Sequence, residues 1–440
     1  MIAPARRPAF GGHSGTHEAA GQGALRGVTA AVAPTLEDVR VTNQDTHVRK
    51  HGRTLAGALA LAVAVGVAGA VLPGSAAATT GSARAAKDGG DHAGVREYLR
   101  RLTTDDGVPG ALAEVRDRRG STVLTSGVAD VDSHAPVHRD SRFRIGSMTK
   151  MFTATTVLQL VEEGEVRLDA PVETYLPGVV RGNGNDGRRI TVRQLLQHTS
   201  RLPDFLDYLR PQDIVADPLA HHDPRDLVAL ALQHPPVDKP GTNWDYSNTN
   251  YLLAGMIIER VTGHTYAHEV RERIIEPLRL RETYVPSEVT IRGPHPHGYA
   301  QPGKDAPLVD ITRIDPSIGG SAGGIISSGT DLNTFLAALL GGDLLQPAEL
   351  REMKRTQPTG GDGDRAYGLG LESKALPGGG RYWGHSGDFL GYETMAGATV
   401  DGRQATVMAN LGPGSSDAQS DHIRAAVESA LDGDRPSPRR

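Results

Sequence analysis

From Ser147 to Glu163 the chain has neither proline nor glycine, and Met151, Phe152, Ala154, Val157, Leu158, Leu160 and Val161 carry apolar side chains almost all round a helix. Such a helix cannot lie on a surface; it must run through the interior with other elements on every side. Gly164 is placed to end it as a left-handed cap. Ser147 and Lys150 are three residues apart, so their side chains share a face and come within hydrogen-bonding reach. Apolar surroundings favour the neutral amine, and a neutral amine can take a serine proton. A Ser-x-x-Lys match arises easily by chance. A lysine within an apolar run does not, because burying it without purpose is costly.

The 440 residues allow two domains or one large one. A net charge of -5, with both signs interspersed, provides no basic stripe for nucleic acid. With no cysteine, disulfides, thiol chemistry and cysteine-bound zinc are excluded. None of the 17 histidines falls in a metal-binding array; His221-His222-Asp223 and His295-Pro296-His297 sit beside prolines in loop-like sequence. No metal or cofactor is expected.

Residues 1–54 lack periodicity and are expected to be disordered. Arg49-Lys50-His51-Gly52-Arg53 precedes an apolar run from Leu55 to Leu72 and the small residues Ala76-Ala77-Ala78. Residues 55–78 therefore have the order of a secretory signal, with cleavage expected after Ala78 and a secreted product. The alternative is a membrane anchor that leaves the catalytic domain outside. A small-residue linker (79–94), a catalytic domain (95–433) and a tail (434–440) complete the division.

Strands are expected at Ala111–Val115 and Thr122–Val128, then again at Arg381–Gly384, Phe389–Thr394, Thr394–Val400 and Gln404–Ala409, the last two turning at Asp401-Gly402. Between Leu168 and Pro316 the pattern is helical, with Tyr251–Thr262 closed by Gly263. Ser328-x-x-Asp331 is spaced as a capping box for a helix through Leu340, and Ile423, Ala426, Val427, Ala430 and Leu431 mark a last helix. Strands at both ends around a helical middle predict an α+β domain with an inserted lobe.

Two further motifs follow Ser147-Met148-Thr149-Lys150: Tyr246-Ser247-Asn248 and His385-Ser386-Gly387-Asp388. In this order they resemble the penicillin-recognising serine hydrolases, which have Ser-x-x-Lys, Tyr-x-Asn and either Lys-Thr-Gly or His-x-Gly. The likeness runs from about Val95 to Gly433 and is similar to the branch holding actinobacterial D-alanyl-D-alanine carboxypeptidases, class C β-lactamases and related esterases. It includes Leu195-Leu196-Gln197-His198-Thr199-Ser200, Ser321-Ala322-Gly323-Gly324 and Tyr367-Gly368-Leu369-Gly370-Leu371. The resemblance implies a β-lactamase/transpeptidase-like fold, an antiparallel sheet flanked by helices with an inserted mainly helical lobe.

It also implies roles. Ser147 would form an acyl-enzyme, with Lys150 and Tyr246 sharing the proton work. Asn248 would hold the substrate amide. The N–H groups of Ser147 and Asp388 would bind the oxyanion, and His385, Ser386, Gly387 and Asp388 would line the cleft. The expected function is a D-alanyl-D-alanine carboxypeptidase on cell-wall peptides. The alternatives are a β-lactamase or esterase of the same fold and a penicillin-binding sensor without turnover. The expected partner is a small-molecule or peptide substrate. His385, protonated with an ordinary pKa of about 6.5, is a candidate to hold an anionic substrate. Asp388 and Glu372, however, place carboxylates where a substrate carboxylate would sit, with Lys374 or Arg381 as possible compensation. His198 is assigned to structure. Gly319-Gly320-Ser321-Ala322-Gly323 matches a nucleophile elbow but lacks the buried strand that an elbow needs before it.

Overall fold

The computed structural model describes residues 92–301, 306–360, 364–412, 414 and 417–432. The expected disordered extension, the export segment with its Ala78 site, the linker through residue 91 and the 434–440 tail lie outside the described residues. Among the described residues no helix is long and apolar enough to cross a membrane.

Eight strands form one antiparallel sheet: β1 (Gly110–Asp117), β2 (Gly120–Gly127), β3 (Gln357–Pro358), β4 (Ala366–Tyr367), β5 (Glu372–Ala375), β6 (Arg381–Phe389), β7 (Tyr392–Thr399) and β8 (Gln404–Ala409). Their order is β2-β1-β8-β7-β6-β5-β4-β3, so both ends of the domain meet where β1 pairs β8, from Ala111 opposite Ala409 to Arg116 opposite Gln404. The long helices among the described residues are α1 (Ala93–Thr104), α2 (Thr149–Glu162), α3 (Asn248–Thr262), α4 (Gly329–Gly341) and α5 (Asp417–Asp432).

Strand alternation sorts the core into two clusters. Ala111, Ala113 and Val115 join Leu99 and Leu102 of α1 and Ile423 and Val427 of α5 on one face. Leu112, Ala396 and Met408 join the α2 and α4 side chains on the other. Between β2 and β3 the chain builds the helical lobe, so the α+β architecture with an inserted lobe is present as expected.

Of α2, Thr149 to Leu158 and Leu160 are all buried. Phe152 stacks on Phe335 of α4, ring centroids 3.9 Å apart. Truncating such a buried ring to alanine typically costs about 3–5 kcal/mol. The buried hydroxyls of Thr155 and Thr156 return to the carbonyls of Met151 (2.7 Å) and Phe152 (3.0 Å), which keeps the threonines satisfied in an apolar setting.

Three local expectations are corrected. The expected break between strands at Gly384 and Phe389 is one continuous strand, β6, turning into β7 at Leu390-Gly391. The glycines there serve close approach: a Cβ on Gly384 would strike the Ala396 carbonyl, and one on Gly387 the Ile145 carbonyl. Ser147 lies in a 3₁₀ turn, Gly146–Met148, that precedes α2 and does not belong to it. Ser328 caps α4 through the Asp331 N–H (3.3 Å), but the Asp331 carboxylate turns instead to Thr283 Oγ1 and the Glu282 N–H, both at 2.8 Å. Only half of the box forms.

Candidate active site

The 3₁₀ turn runs directly into α2, so Ser147 in the turn and Lys150 in the first turn of α2, three residues apart, stay on one face. Lys150 Nζ lies 2.9 Å from Ser147 Oγ, 2.7 Å from Asn248 Oδ1 and 2.8 Å from the Ala322 carbonyl oxygen. The lysine is fully buried. Desolvation pulls its pKa down to about 7, against the opposing pull of Asp204, Asp388 and Glu372. A neutral amine here has two N–H bonds and two obligate acceptors, Asn248 Oδ1 and the Ala322 carbonyl. Its lone pair is left for the Ser147 hydroxyl.

Asn248 opens α3, and Tyr246 comes two residues before it on the approach to the helix. The Tyr246 ring centre is 4.7 Å from Lys150 Nζ and 4.2 Å from the His198 ring. His198 is buried, and its Nδ1 accepts from the Ser247 N–H at 3.1 Å. It backs the tyrosine like a plate, in keeping with a structural assignment. Desolvation, reinforced by Lys150, holds it well below the ordinary histidine pKa, so it stays neutral.

β5 pairs with β6 only as far as Glu372 opposite Gly384, so β6 extends beyond its neighbour through His385–Phe389 toward Ser147. Gly146, at φ 52°, packs against the Asp388 backbone, and Thr394 Oγ1 donates to the Gly387 carbonyl at 2.9 Å. The Asp388 backbone is thereby held against the turn that carries Ser147.

The cleft, about 200 Å³, is lined by Ser147, Tyr246, Asn248, His385, Ser386 and Asp388, while Lys150 is buried behind Ser147 and does not line it. Gly387 contributes backbone close to Ile145. One wall is apolar, built from Phe205, Leu206, Ile214, Ile314, Ile318 and Phe389. Another part of the lining is polar and includes Arg365, Glu372 and Lys374.

Two electrostatic expectations change. His385 is 2 % exposed, and desolvation lowers its pKa to about 4, so it is neutral at physiological pH and cannot hold an anion by charge. Its Nε2 faces the Tyr367 hydroxyl at 2.9 Å. Glu372 does not face the cleft as an uncompensated carboxylate. Arg365 grips it with two bonds, Nε to Oε2 at 2.9 Å and Nη2 to Oε1 at 2.7 Å. Burial pushes Glu372 up, but the guanidinium outweighs it and holds the carboxyl below its ordinary value. Neither proposed compensator is involved: Lys374 pairs with Glu428 at 2.8 Å and Arg381 with Asp364 at 3.0 Å.

Arg365 and Asp204 are site residues that sequence reasoning misses. Asp204 Oδ2 accepts from Asn248 Nδ2 at 2.8 Å, and its only local signal is a polar residue between Pro203 and the apolar Phe205-Leu206. The elbow-like serine is a strut: Ser321 Oγ donates to the Tyr251 carbonyl at 2.8 Å, and the neighbouring Ala322 carbonyl accepts from Lys150. Among the described residues one grouping, His264, His268 and Glu269, has metal-ligand chemistry. It lies just past the α3 C-terminus, at the far end of that helix from Asn248, and Glu269 is ion-paired with Arg273 at 2.6 Å.

Comparison with known proteins agrees with this geometry. Penicillin-binding protein 4 of Amycolatopsis lactamdurans is 36% identical over 204 residues, covering 46% of this chain and 51% of that protein. The chain thus matches about half the length of that curated relative. The D-stereospecific amidohydrolase from Streptomyces sp. superposes with a TM-score of 0.72 at 41% identity, covering 77% of this chain and 98% of that one. The D-amino acid amidase from Ochrobactrum anthropi SV3, complexed with L-phenylalanine amide, gives 0.67 at 28% identity, covering 77% and 97%. The Beta-lactamase family model matches residues 95–429. A Ser-x-x-Lys pair with its lysine buried, a tyrosine and asparagine at the head of α3, and a strand edge beside the cleft thus occur in a chain that belongs to the beta-lactamase family of serine hydrolases.

Proposed function

We propose that this protein hydrolyses amides of D-amino acids or of D-aminoacyl peptides through an acyl-enzyme on Ser147. It prefers a large apolar side chain on the acyl part and an uncharged leaving end. Lys150, neutral above its pKa of about 7, takes the Ser147 proton as Oγ attacks the carbonyl carbon. The oxyanion that forms lies between the Ser147 and Asp388 N–H groups, which stabilise charge present only at the tetrahedral stage. The proton passes to the leaving nitrogen through Lys150 and Tyr246, the C–N bond breaks, and water then releases the acid by the same route.

The observation that carries this reading is the division of the cleft. The apolar wall of Phe205, Leu206, Ile214, Ile314, Ile318 and Phe389 suits an aromatic or branched side chain far better than the methyl of alanine. At the polar wall the guanidinium of Arg365 is already engaged by Glu372, so a free terminal carboxylate meets a pair in which the positive charge is neutralised. The likeness to the Streptomyces amidohydrolase and the Ochrobactrum amidase points the same way. D-alanyl-D-alanine carboxypeptidase is the second reading. It is supported by the family resemblance and by the location of Arg365 on the polar wall.

The test is time-resolved mass spectrometry after mixing the protein with D-phenylalanine amide, D-alanyl-D-alanine peptide and penicillin in turn. An acyl adduct on Ser147 that forms and clears fastest with the aromatic amide supports the proposal. Clearance fastest with the free-acid peptide supports the carboxypeptidase reading. A penicillin adduct that never clears, with no amide turnover, supports the sensor reading.

A further inference from the structure

We propose that Asp204 is a positioning residue that fixes the Asn248 amide so that its oxygen faces Lys150 and the lysine lone pair is left on Ser147. This rests on the reading of Ser147 and Lys150 as nucleophile and base.

An ionised carboxylate only accepts hydrogen bonds. Asp204 Oδ2, 2.8 Å from the Asn248 side chain, therefore dictates which end of that amide it receives, and Nδ2 must face it. Oδ1 is then the end presented to Lys150, at 2.7 Å. The Ala322 carbonyl, at 2.8 Å, is likewise only an acceptor. The two N–H bonds of the neutral amine are thus committed, and the Ser147 hydroxyl at 2.9 Å is the partner left for the lone pair. If the Asn248 amide turned over, its NH₂ would face Nζ, and the lone pair could turn from Ser147 to accept from it.

Asp204 is itself held in place. It is 4 % exposed, it opens the short 3₁₀ turn Phe205–Tyr208, and its Oδ1 accepts from the Leu206 N–H at 3.1 Å. Burying a carboxylate this deeply is expensive, and a positioning role gives the chain a reason to bear that cost. Desolvation raises Asp204 to about 6, against hydrogen bonds from the Asn248 and Leu206 backbone N–H groups, while Asp207 reinforces the rise. Lys150 loses its proton near 7, so above that pH the carboxylate is ionised and the amine is neutral. Both are then in the states that the positioning role needs.

The experiment is the pH dependence of kcat/KM and of kcat for an aromatic D-amino acid amide with wild type, Asp204→Asn and Asp204→Glu. The other groups facing Lys150 are Asp388 and His385 on β6, Glu372 on β5, and the rings of His198, Tyr246 and Tyr251, all unchanged in these variants. Asp204→Asn removes the negative charge and frees Asn248 to turn over. Expected are a fall in kcat of about tenfold or more, KM within about threefold, and an acid limb moved to lower pH because the lysine has lost an anion. Asp204→Glu should recover part of kcat. If Asp204→Asn does not fold, Asn248→Asp tests the same contact from the other side: a carboxylate directly against Nζ must move the acid limb upward. An active Asp204→Asn, or a folded Asn248→Asp, with the wild-type acid limb overturns the proposal. A wild type without Ser147-dependent turnover overturns the underlying reading, and Ser147→Ala scores that separately.

Discussion

Arg365 and Glu372 hold each other face to face on the polar wall of the cleft, Nε to Oε2 at 2.9 Å and Nη2 to Oε1 at 2.7 Å, with His385 Nε2 3.7 Å from the same carboxylate. The side chains are 26% and 11% exposed, so the pair is largely desolvated. Removing one partner leaves the other buried and uncompensated, which costs about 3–5 kcal/mol for a fully buried pair and less in proportion to residual exposure. Arg365→Leu should therefore lower the unfolding free energy by about 2–4 kcal/mol in urea titrations. Arg365→Leu with Glu372→Leu should recover much of that loss. Equal stability of the single variant and wild type would show that the pair is not holding the β4–β5 edge.

On the proposed function the same pair governs selection at the leaving end. A substrate carboxylate near Asp388 and an already engaged Arg365 gains little, and exposed like charges at close range repel by about 1 kcal/mol. kcat/KM for a D-aminoacyl-D-alanine free acid should fall about fivefold or more below that for its C-terminal amide, with a matched short-chain ester above both. A preference for the free acid would mean that Arg365 lets go of Glu372 to receive the substrate.

The pH profile separates two groups. Lys150 must be neutral to act as base, so activity is lost as pH falls through about 7, where its burial-lowered pKa lies. His385 is already neutral there, its pKa pulled to about 4. Between about pH 5.5 and 7.5 any change in the ratio of KM for anionic to neutral substrates should therefore come from Lys150 and Asp204, and the ratio should follow the same pH course in wild type and His385→Gln. A step near 6.5 that His385→Gln abolishes would restore a charge-holding role for His385.

The features legible in the chain are those set by local pattern. The apolar α2, the alternating strands and the three ordered motifs are each carried by neighbouring residues; Ser147 and Lys150 meet as their spacing implies, and Tyr246 and Asn248 join them as the family resemblance implies. The features that stay hidden depend on partners far away in the chain. Nothing near Pro203 shows that Asp204 will meet an asparagine 44 positions on. Glu372 looks like a charge in the cleft until the β4–β5 hairpin folds Arg365 back onto it. His385 keeps an ordinary pKa in sequence and loses it only once Tyr367 and β7 exclude water. The glycines of β6 read as breaks because sequence does not distinguish a turn from a close contact, and here the contact partners are Ala396 and Ile145.

Two serines compete for the nucleophile's place. Ser147 Oγ is 2.9 Å from a lysine poised to lose its proton, whereas Ser321 Oγ donates to the Tyr251 carbonyl and is 7% exposed. Ser147→Ala should abolish covalent labelling by a fluorescent penicillin, and Ser321→Ala should keep it while losing about 0.5–1.5 kcal/mol of stability from the lost hydrogen bond to the Tyr251 carbonyl. Labelling retained in the first and lost in the second would reverse the assignment.

The proposed oxyanion site depends on how closely two backbone segments approach, and Gly146 tests that approach. It has φ of 52°, and a Cβ built on it would lie 2.6 Å from the Asp388 oxygen and 2.7 Å from its nitrogen. No side-chain rotation relieves such contacts, so Gly146→Ala must push the Asp388 backbone away from Ser147. Removing or misplacing one oxyanion donor typically costs about 10²–10³ in kcat, because the lost stabilisation exists only in the transition state. KM should change little by the same reasoning. The positive φ adds a separate strain of about 1 kcal/mol, which Gly402→Ala isolates: that glycine has φ of 95° and nothing within 4 Å of its built Cβ. Gly402→Ala should lose stability alone, and Gly146→Ala should lose stability and about two orders of magnitude in kcat. A Gly146→Ala protein that turns over at the wild-type rate would show that the Ser147 and Asp388 amides do not bind the oxyanion.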